Sequence, residues 1–334
     1  MSASEQKNTD KIKKIALLTS GGDSPGMNAA IRAVVRSAIF HEKQAVGVRN
    51  GYSGLLRNEW IEMQSHSVSK IISMGGTILK SSRCPEFITS EGRKLAIENM
   101  KNKEIDGLVV LGGDGSFRGA SLLWNEFGFP VVGVPCTIDN DIYGTDFTIG
   151  FDTAVNTAVE AVDKIRDTAD SHNIIFFVEV MGRHSGFIAL NTAISCGAEA
   201  TLIPETPTNI EQLCEYLESG RRKNKTSGII IVAEGDDEGN AADIAVKVKS
   251  RLPGYETRVT TLGHIQRGGS PTSNDRVLAS ILGAEAVNAL LDGKFGVMVG
   301  QVNQKTVFTP FAEASSKRNT INENWVEISK ILSL

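Results

Sequence analysis

Residues 131–150 read Val-Val-Gly-Val-Pro-Cys-Thr-Ile-Asp-Asn-Asp-Ile-Tyr-Gly-Thr-Asp-Phe-Thr-Ile-Gly. The β-branched run at 131–134 ends at Pro135 and predicts a short strand, and the apolar spacing from Thr153 onward predicts a helix. The polar stretch between them therefore lies where a strand gives way to a helix, the rim at which open α/β sheets bind ligands. Asp139, Asp141 and Asp146 place three carboxylates in one turn-rich segment, beside the hydroxyls of Thr137 and Thr145 and the flexible Gly144. That density suits a catalytic loop, and equally a polar turn closed by Asx hydrogen bonds.

Working outward, the chain has 334 residues, 41% of them hydrophobic, enough for a large core and two domains of ordinary size. A formal net charge of -4 gives no basic field, which argues against nucleic acid or an anionic membrane as the main partner. No window has the apolar length of a membrane span, and the polar, lysine-bearing start has no signal-peptide core, so a cytoplasmic location is expected. Cys84, Cys136, Cys196 and Cys214 are far apart, without Cys-x-x-Cys spacing, and read as free thiols.

Residues 15–19 predict a strand, Ser20-Gly-Gly-Asp-Ser-Pro-Gly26 a glycine-rich turn, and residues 27–40 a helix. Such a turn admits close approach of backbone amides to phosphate, or serves packing. Ile31, Val34, Val35, Ala38 and Ile39 form the helix's expected buried stripe, leaving Arg32 and Arg36 one turn apart, as a phosphate-binding pair or as a solvated face. A strand at 45–48, a turn at 51–54, a helix at 68–74 stopped by Gly75-Gly76, a loop carrying Arg83-Cys84-Pro85 and a helix at 91–101 follow.

A buried-type strand at 107–111 then runs into Gly112-Gly-Asp-Gly-Ser116, where glycines clear the space around one carboxylate, as a tight turn or as a magnesium polyphosphate site. Further helices are expected at 117–126, 153–169, 209–222, 241–251, 274–291 and 325–334, and strands at 174–180, 201–203, 228–232, 258–262 and 297–300. Strand after helix after strand predicts parallel sheets. The presumed strand ends carry Asp114, Asp139, Asp141 and Glu234 with Arg83, Arg183, Arg258, His264 and Arg267. That is an inventory for phosphoryl transfer, which needs in-line positioning, neutralised phosphate charge and a base for the attacking hydroxyl.

Six motifs in order, Thr19-Ser-Gly-Gly-Asp-Ser-Pro-Gly-Met-Asn28, Gly112-Gly-Asp-Gly-Ser116, Thr137-Ile-Asp-Asn-Asp141, Gly144-Thr-Asp146, Met181-Gly-Arg183 and Gly263-His-Ile-Gln-Arg-Gly-Gly269, give the chain a resemblance to the bacterial-type ATP-dependent 6-phosphofructokinases. The resemblance implies an α/β fold of two doubly wound, Rossmann-like three-layer domains with the active site in the cleft between them. It implies a nucleotide-binding domain of residues 12–150 and 265–315, and a fructose 6-phosphate domain of residues 151–264 and 316–334.

By the same resemblance Asp139 is the base that deprotonates the sugar's 1-hydroxyl, Thr137 holds the transferring phosphoryl group, and Asp141 and Arg183 complete the catalytic set. Gly22, Tyr52, Arg83, Cys84, Gly113, Asp114, Gly115 and Ser116 fall at nucleotide positions, Asp114 reaching Mg2+. Thr137, Ile138, Asp139, Met181, Gly182, Arg183, Glu234, Arg258, His264 and Arg267 fall at sugar-phosphate positions. Arg32, Arg36, Arg166, Gly197, Glu199, Lys223 and Lys225 match an allosteric pocket for ADP or phosphoenolpyruvate, with Glu199 on the effector's magnesium. Residues that cross between subunits in the family imply a homotetramer.

The chain departs from the family pattern at several places. Pyrophosphate-using relatives typically carry aspartate at the position of Gly115 and lysine at that of Cys136, so ATP is the expected donor. A thiol at 136, beside the base loop, suggests sensitivity to oxidation. Ser65 and Lys70 replace an arginine and an acid of the effector pocket. Ile174 stands where the family places a substrate-binding arginine. The alternatives are a pyrophosphate-dependent enzyme and a regulatory subunit without turnover. Losing a charged hydrogen bond weakens binding about 10- to 100-fold; Ile174→Arg is therefore expected to saturate at correspondingly lower fructose 6-phosphate, and saturation at an unchanged concentration would refute the reading of this position.

Overall fold

Buried β-branched runs alternate with amphipathic segments along the chain. The computed structural model, which describes residues 11–222 and 225–333, turns that alternation into two sheets. The first sheet contains β1 (Lys14–Ser20), β2 (Gln44–Val48), β3 (Trp60–Met63), β4 (Gly107–Gly112), β5 (Val131–Thr137), β6 (Ile149–Gly150), β11 (Val297–Val302) and β12 (Lys305–Pro310), in the order β12-β11-β5-β4-β1-β2-β3 with β6 beside β5. The second contains β7 (Ile174–Val180), β8 (Ala200–Leu202), β9 (Gly228–Ala233) and β10 (Glu256–Thr261), in the order β10-β7-β9-β8, all parallel.

The chain divides into two units. One runs through Thr137 and takes in Ile142–Asp152 and Arg267–Asn319; the other holds Ile138–Asp141, Thr153–Gln266 and the chain from Thr320. In the first unit, successive residues of each strand point to opposite faces. Ile15, Leu17, Val109, Leu111, Val132 and Val134 pack with α1 (Met27–Phe40) and α9 (Ser273–Leu291). Ala16, Leu18, Leu108, Val110 and Val131 pack instead with α2 (Gly51–Arg57), α3 (Ser90–Asn102) and α4 (Asp114–Phe127). Helices therefore cover both faces, giving three layers. α1 and α9 approach closely at Gly283, where a Cβ would lie 2.7 Å from that of Ala33.

In the second unit, Ile175 and Phe177 of β7 and Ile230 and Val232 of β9 pack against α7 (Ile210–Arg222) and α8 (Ala241–Arg251). α6 (Phe187–Cys196) lies against β8 and β9 and is itself met by α11 (Glu323–Leu332). α5 (Phe151–His172) leads from the first unit into the second, and the short α10 (Phe311–Ala314) follows β12.

Several expectations are corrected. Residues 68–74 form turns, not a helix, because the run is too short to propagate without a packed partner face. Residues 51–54 open α2 instead of forming a turn. β5 continues through Pro135 to Thr137; its pairing with β11 involves Val132 and Gly133, so the missing N–H of Pro135 costs no bond on that side. Ile39 is 38% exposed, since α1 turns its last residues away from the core that buries Ile31, Val34, Val35 and Ala38. The first sheet is mixed, with β2-β3 and β11-β12 antiparallel. Strands β3 and β12 and helix α6 escaped the sequence reading.

Cys136 is 1% exposed in the core beneath α1 and α9, and burial, reinforced by the charge of Asp275, pushes its thiol well above the ordinary value. The expected oxidation sensitivity is thus contradicted, since the reactive species is an accessible thiolate. Neutral alkylation of the folded protein should leave Cys136 unlabelled by mass spectrometry, and rapid labelling would show that this core opens. Gly133 is forced by packing: a Cβ would lie 2.6 Å from Phe117 Cε1 and 2.7 Å from Phe311 Cε1. Gly133→Ala should cost about 1–3 kcal/mol by overpacking, read as a lower urea midpoint at unchanged slope.

Candidate functional site

Parallel pairing brings the carboxyl ends of β1, β4 and β5 to one edge of the first sheet, with Ser20 opposite Gly112 and Gly112 opposite Pro135. The chain leaves β1 for β2 on one side and returns to β4 on the other, so the switch in winding falls between β1 and β4. The loops there are the two glycine-rich turns. Gly21 has φ 84°, a conformation that disfavours a side chain, and its carbonyl accepts from Ser81 Oγ at 2.8 Å. A Cβ at Gly22 would lie 2.6 Å from Arg267 Nη1, which donates to the Asp23 carbonyl at 3.1 Å. Arg267 thus sits against the first glycine turn.

α4 begins at Asp114, with Gly113 as an N-cap that has no side-chain bond to offer. Asp114 Oδ2 accepts from Arg118 and, at 3.0 Å, from Arg318 Nη2. Burial raises its pKa, but the bonds from Arg118, the Gly115 amide and Arg318 outweigh this and hold the carboxyl below its ordinary value. A Cβ at Gly115 would meet nothing within 4 Å, so the space beside the helix start is open. Tyr52 is 6% exposed; its hydroxyl donates to the Ser116 carbonyl at 2.6 Å and its ring stacks on Phe87. Burial pushes its phenol up, so it remains a proton donor. Arg83 is exposed and Cys84 half-buried in the loop that precedes the 3-10 turn Pro85–Ile88.

The second unit has a matching edge. Val180 of β7 pairs with Ala233 of β9, and Glu179 with Thr261 of β10, so Met181–Arg183, Glu234 and Gly263–His264 all follow adjacent strands. Arg183 adopts φ 55°, uncommon for a long side chain, while its amide donates to Glu234 Oε1 at 2.7 Å. A Cβ at Gly235 would strike the Arg183 carbonyl at 1.8 Å, so only glycine permits this turn. Asp139 is 4% exposed, Arg183 Nε lies 3.7 Å from its Oδ2, and Ser185 Oγ donates to its carbonyl at 3.1 Å. Met181 is buried and His264 exposed. Arg258 is a correction: it lies within β10, opposite Phe176, and pairs with Glu256 instead of standing at a strand end.

The remaining predicted residues take varied roles. Thr137 ends β5, and its carbonyl accepts from Thr148 Oγ1 at 2.7 Å; Ile138 is fully buried and Asp141 half-buried. Asp146, counted among the three carboxylates, accepts the Asn303 amide at 2.7 Å. Ile174 is 6% exposed at the start of β7, so an arginine there would also cost stability in reaching solvent.

Of the expected effector residues, Arg32 is half-buried and Arg36 exposed on α1, in the first unit. In the second, Arg166 Nη2 donates to the carbonyls of Cys196 at 2.7 Å and Gly197 at 3.2 Å, and Arg166 Nη1 stands 3.8 Å from Glu199. Glu199 also accepts the Ile229 amide at 2.5 Å, and Lys225 Nζ donates to the Ser333 carbonyl at 3.2 Å. Lys223 lies outside the described residues.

Among the described residues no group of three or more His, Cys, Asp or Glu side chains gathers as a metal cage. A single carboxylate beside open space fits magnesium that arrives on polyphosphate, because this ion keeps waters and takes one or two protein carboxylates. No helix of the described residues is long and apolar enough to cross a membrane.

Sequence reading missed Ser81, Ser185, Arg118 and Arg318. Ser185 follows Arg183 in the same turn and was within reach of a closer reading. Arg318 is 204 positions from Asp114, and no local pattern signals that pairing.

Known proteins are similar to this chain in both sequence and fold. The family model described as Phosphofructokinase matches residues 14–290. The ATP-dependent 6-phosphofructokinase 2 of Bacteroides thetaiotaomicron is 54% identical over 97% of this chain and 99% of its own length. The ATP-dependent 6-phosphofructokinase 1 of Thermus thermophilus is 53% identical over 97% of this chain and 100% of its own. Among solved structures, phosphofructokinase from Saccharomyces cerevisiae aligns with TM-score 0.84 and 36% identity over 90% of this chain, which spans only 44% of that longer one. A pyrophosphate-dependent phosphofructokinase from Marinobacter aquaeolei aligns with TM-score 0.84 and 25% identity over 96% of this chain and 88% of its own. With the glycine turns, the aspartate at the start of α4 and the Asp139–Arg183 pair in place, the chain belongs to the phosphofructokinase family.

Proposed function

We propose that the chain is an ATP-dependent 6-phosphofructokinase that transfers the γ-phosphoryl group of ATP to the 1-hydroxyl of fructose 6-phosphate, giving fructose 1,6-bisphosphate and ADP in glycolysis. The observation that carries the reading is the buried Asp139 with the Arg183 guanidinium 3.7 Å from its carboxylate. Asp139 takes the hydroxyl proton, the freed oxygen attacks the γ-phosphorus, and the bond to the leaving ADP oxygen breaks. Arg183 offsets the charge on the transferring group, Thr137 orients it, and Asp141 supports the base loop.

Gly22, Tyr52, Arg83, Cys84, Gly113, Gly115 and Ser116 serve the nucleotide, and Asp114 holds Mg2+. When bound, magnesium neutralises charge on the phosphate oxygens. Met181, Gly182, Glu234, Arg258, His264 and Arg267 serve the sugar phosphate. The open space at Gly115 favours ATP over pyrophosphate as donor.

The reading extends to a cytoplasmic homotetramer regulated by ADP or phosphoenolpyruvate through Arg32, Arg36, Arg166, Gly197, Glu199, Lys223 and Lys225. The deciding experiment measures fructose 6-phosphate phosphorylation with ATP and with pyrophosphate, for the parent and for Asp139→Asn. ATP should support turnover and pyrophosphate should not, and the variant should lose about 10²- to 10⁴-fold in kcat, the usual range for a general base. Turnover with pyrophosphate alone would reverse the donor assignment, and nucleotide binding without turnover would favour a regulatory subunit.

A further inference from the structure

Two guanidinium groups converge on one oxygen of Asp114. Arg118 comes from the next turn of α4, and Arg318 from a segment that follows α10. The backbone of that segment is fixed: Arg318 bridges Ile142, Lys317 lies over the Tyr143 ring, and Asn319 Nδ2 donates to the Thr145 carbonyl at 2.9 Å. The Arg318 side chain is nevertheless 48% exposed and that of Arg118 61% exposed, so neither ion pair is expected to contribute much to folding. Two cations thus share one oxygen of a single carboxylate. It stands at the start of a 14-residue helix whose N-cap, Gly113, has no side-chain bond to its amides, and beside the open space at Gly115. Forked cations beside helix amides suit an anion with several oxygens.

We infer that Arg318, assisted by Arg118, is a polyphosphate ligand of the nucleotide site, resting on Asp114 until the phosphate chain of an adenine nucleotide takes its guanidinium. This inference rests on the assignment of Asp114 and its neighbours to the nucleotide. No residue of the six sequence motifs supplies this contact, because Arg318 reaches the site from the far end of the first unit. The ligand class is a di- or triphosphate. Forked donors suit its oxygens, and Asp114, released from the arginine, becomes available to a metal.

The test is calorimetric binding of ADP to the full chain, with magnesium and with EDTA, beside thermal melting. Arg318→Ala should bind metal-free ADP about 10- to 100-fold more weakly, the loss expected for a charged hydrogen bond, and should melt within a few degrees of the parent. Arg318→Lys should recover part of the affinity. Asp114→Asn, which releases both arginines, should bind metal-free ADP more tightly, and this gain should shrink when combined with Arg318→Ala. Equal or tighter metal-free binding by Arg318→Ala would overturn the inference and leave Arg318 as a counter-ion of Asp114 only. A gain in Asp114→Asn that persists undiminished in the double variant would overturn it as well. A parent that binds no adenine nucleotide would sink the nucleotide assignment together with this inference, whereas parent binding without an Arg318 effect sinks the inference alone.

Discussion

Parallel strand pairing is the constraint on which everything else in this protein depends. When β1, β4 and β5 run the same way in register, their carboxyl ends must finish along one edge, and the loops after them become neighbours whatever their distance in sequence. The same holds for β7, β9 and β10. Each unit therefore gathers polar and glycine-rich segments from distant parts of the chain without needing them to attract one another. The cohesive work is done elsewhere, by the alternating apolar residues that pack helices on both faces of the first sheet and on the second.

Glycine makes those crowded edges possible. At Gly22 a side chain would collide with Arg267, and at Gly235 with the carbonyl of Arg183. At Gly115 the absence of a side chain leaves room instead of relieving a clash. The same residue type thus serves close approach of protein to protein in one loop and leaves open space in another.

Charge follows the same division of roles. Asp139 is buried with the Arg183 guanidinium near it, whereas Asp114 is shared by Arg118 and Arg318 and lies nearer solvent. Burial strengthens the pull of a neighbouring cation on a carboxylate, whereas solvent screens it at a more exposed one. Asp146, chemically identical to both, is engaged by the Asn303 amide. Three aspartates that look alike in sequence are separated by what surrounds them.

The α/β class, most of the strands and helices, and the glycine and aspartate motifs were legible in the sequence, because hydrophobic period and turn chemistry are local properties. The ends of β7 and α8 were readable, since a nearly all-apolar strand and a helix opened by Asn240 announce themselves. The false helix at 68–74, the helical start at Gly51 and the missed β3 and β12 were settled by packing, which overrides weak local preference in short segments. Local pattern alone was enough for the α/β class and for the glycine and aspartate motifs at the strand ends. Only the tertiary structure decided that Cys136 is buried, that Ser185 holds the Asp139 carbonyl and that Arg318 meets Asp114, because each depends on contacts between segments whose separation along the chain encodes nothing about their distance in space.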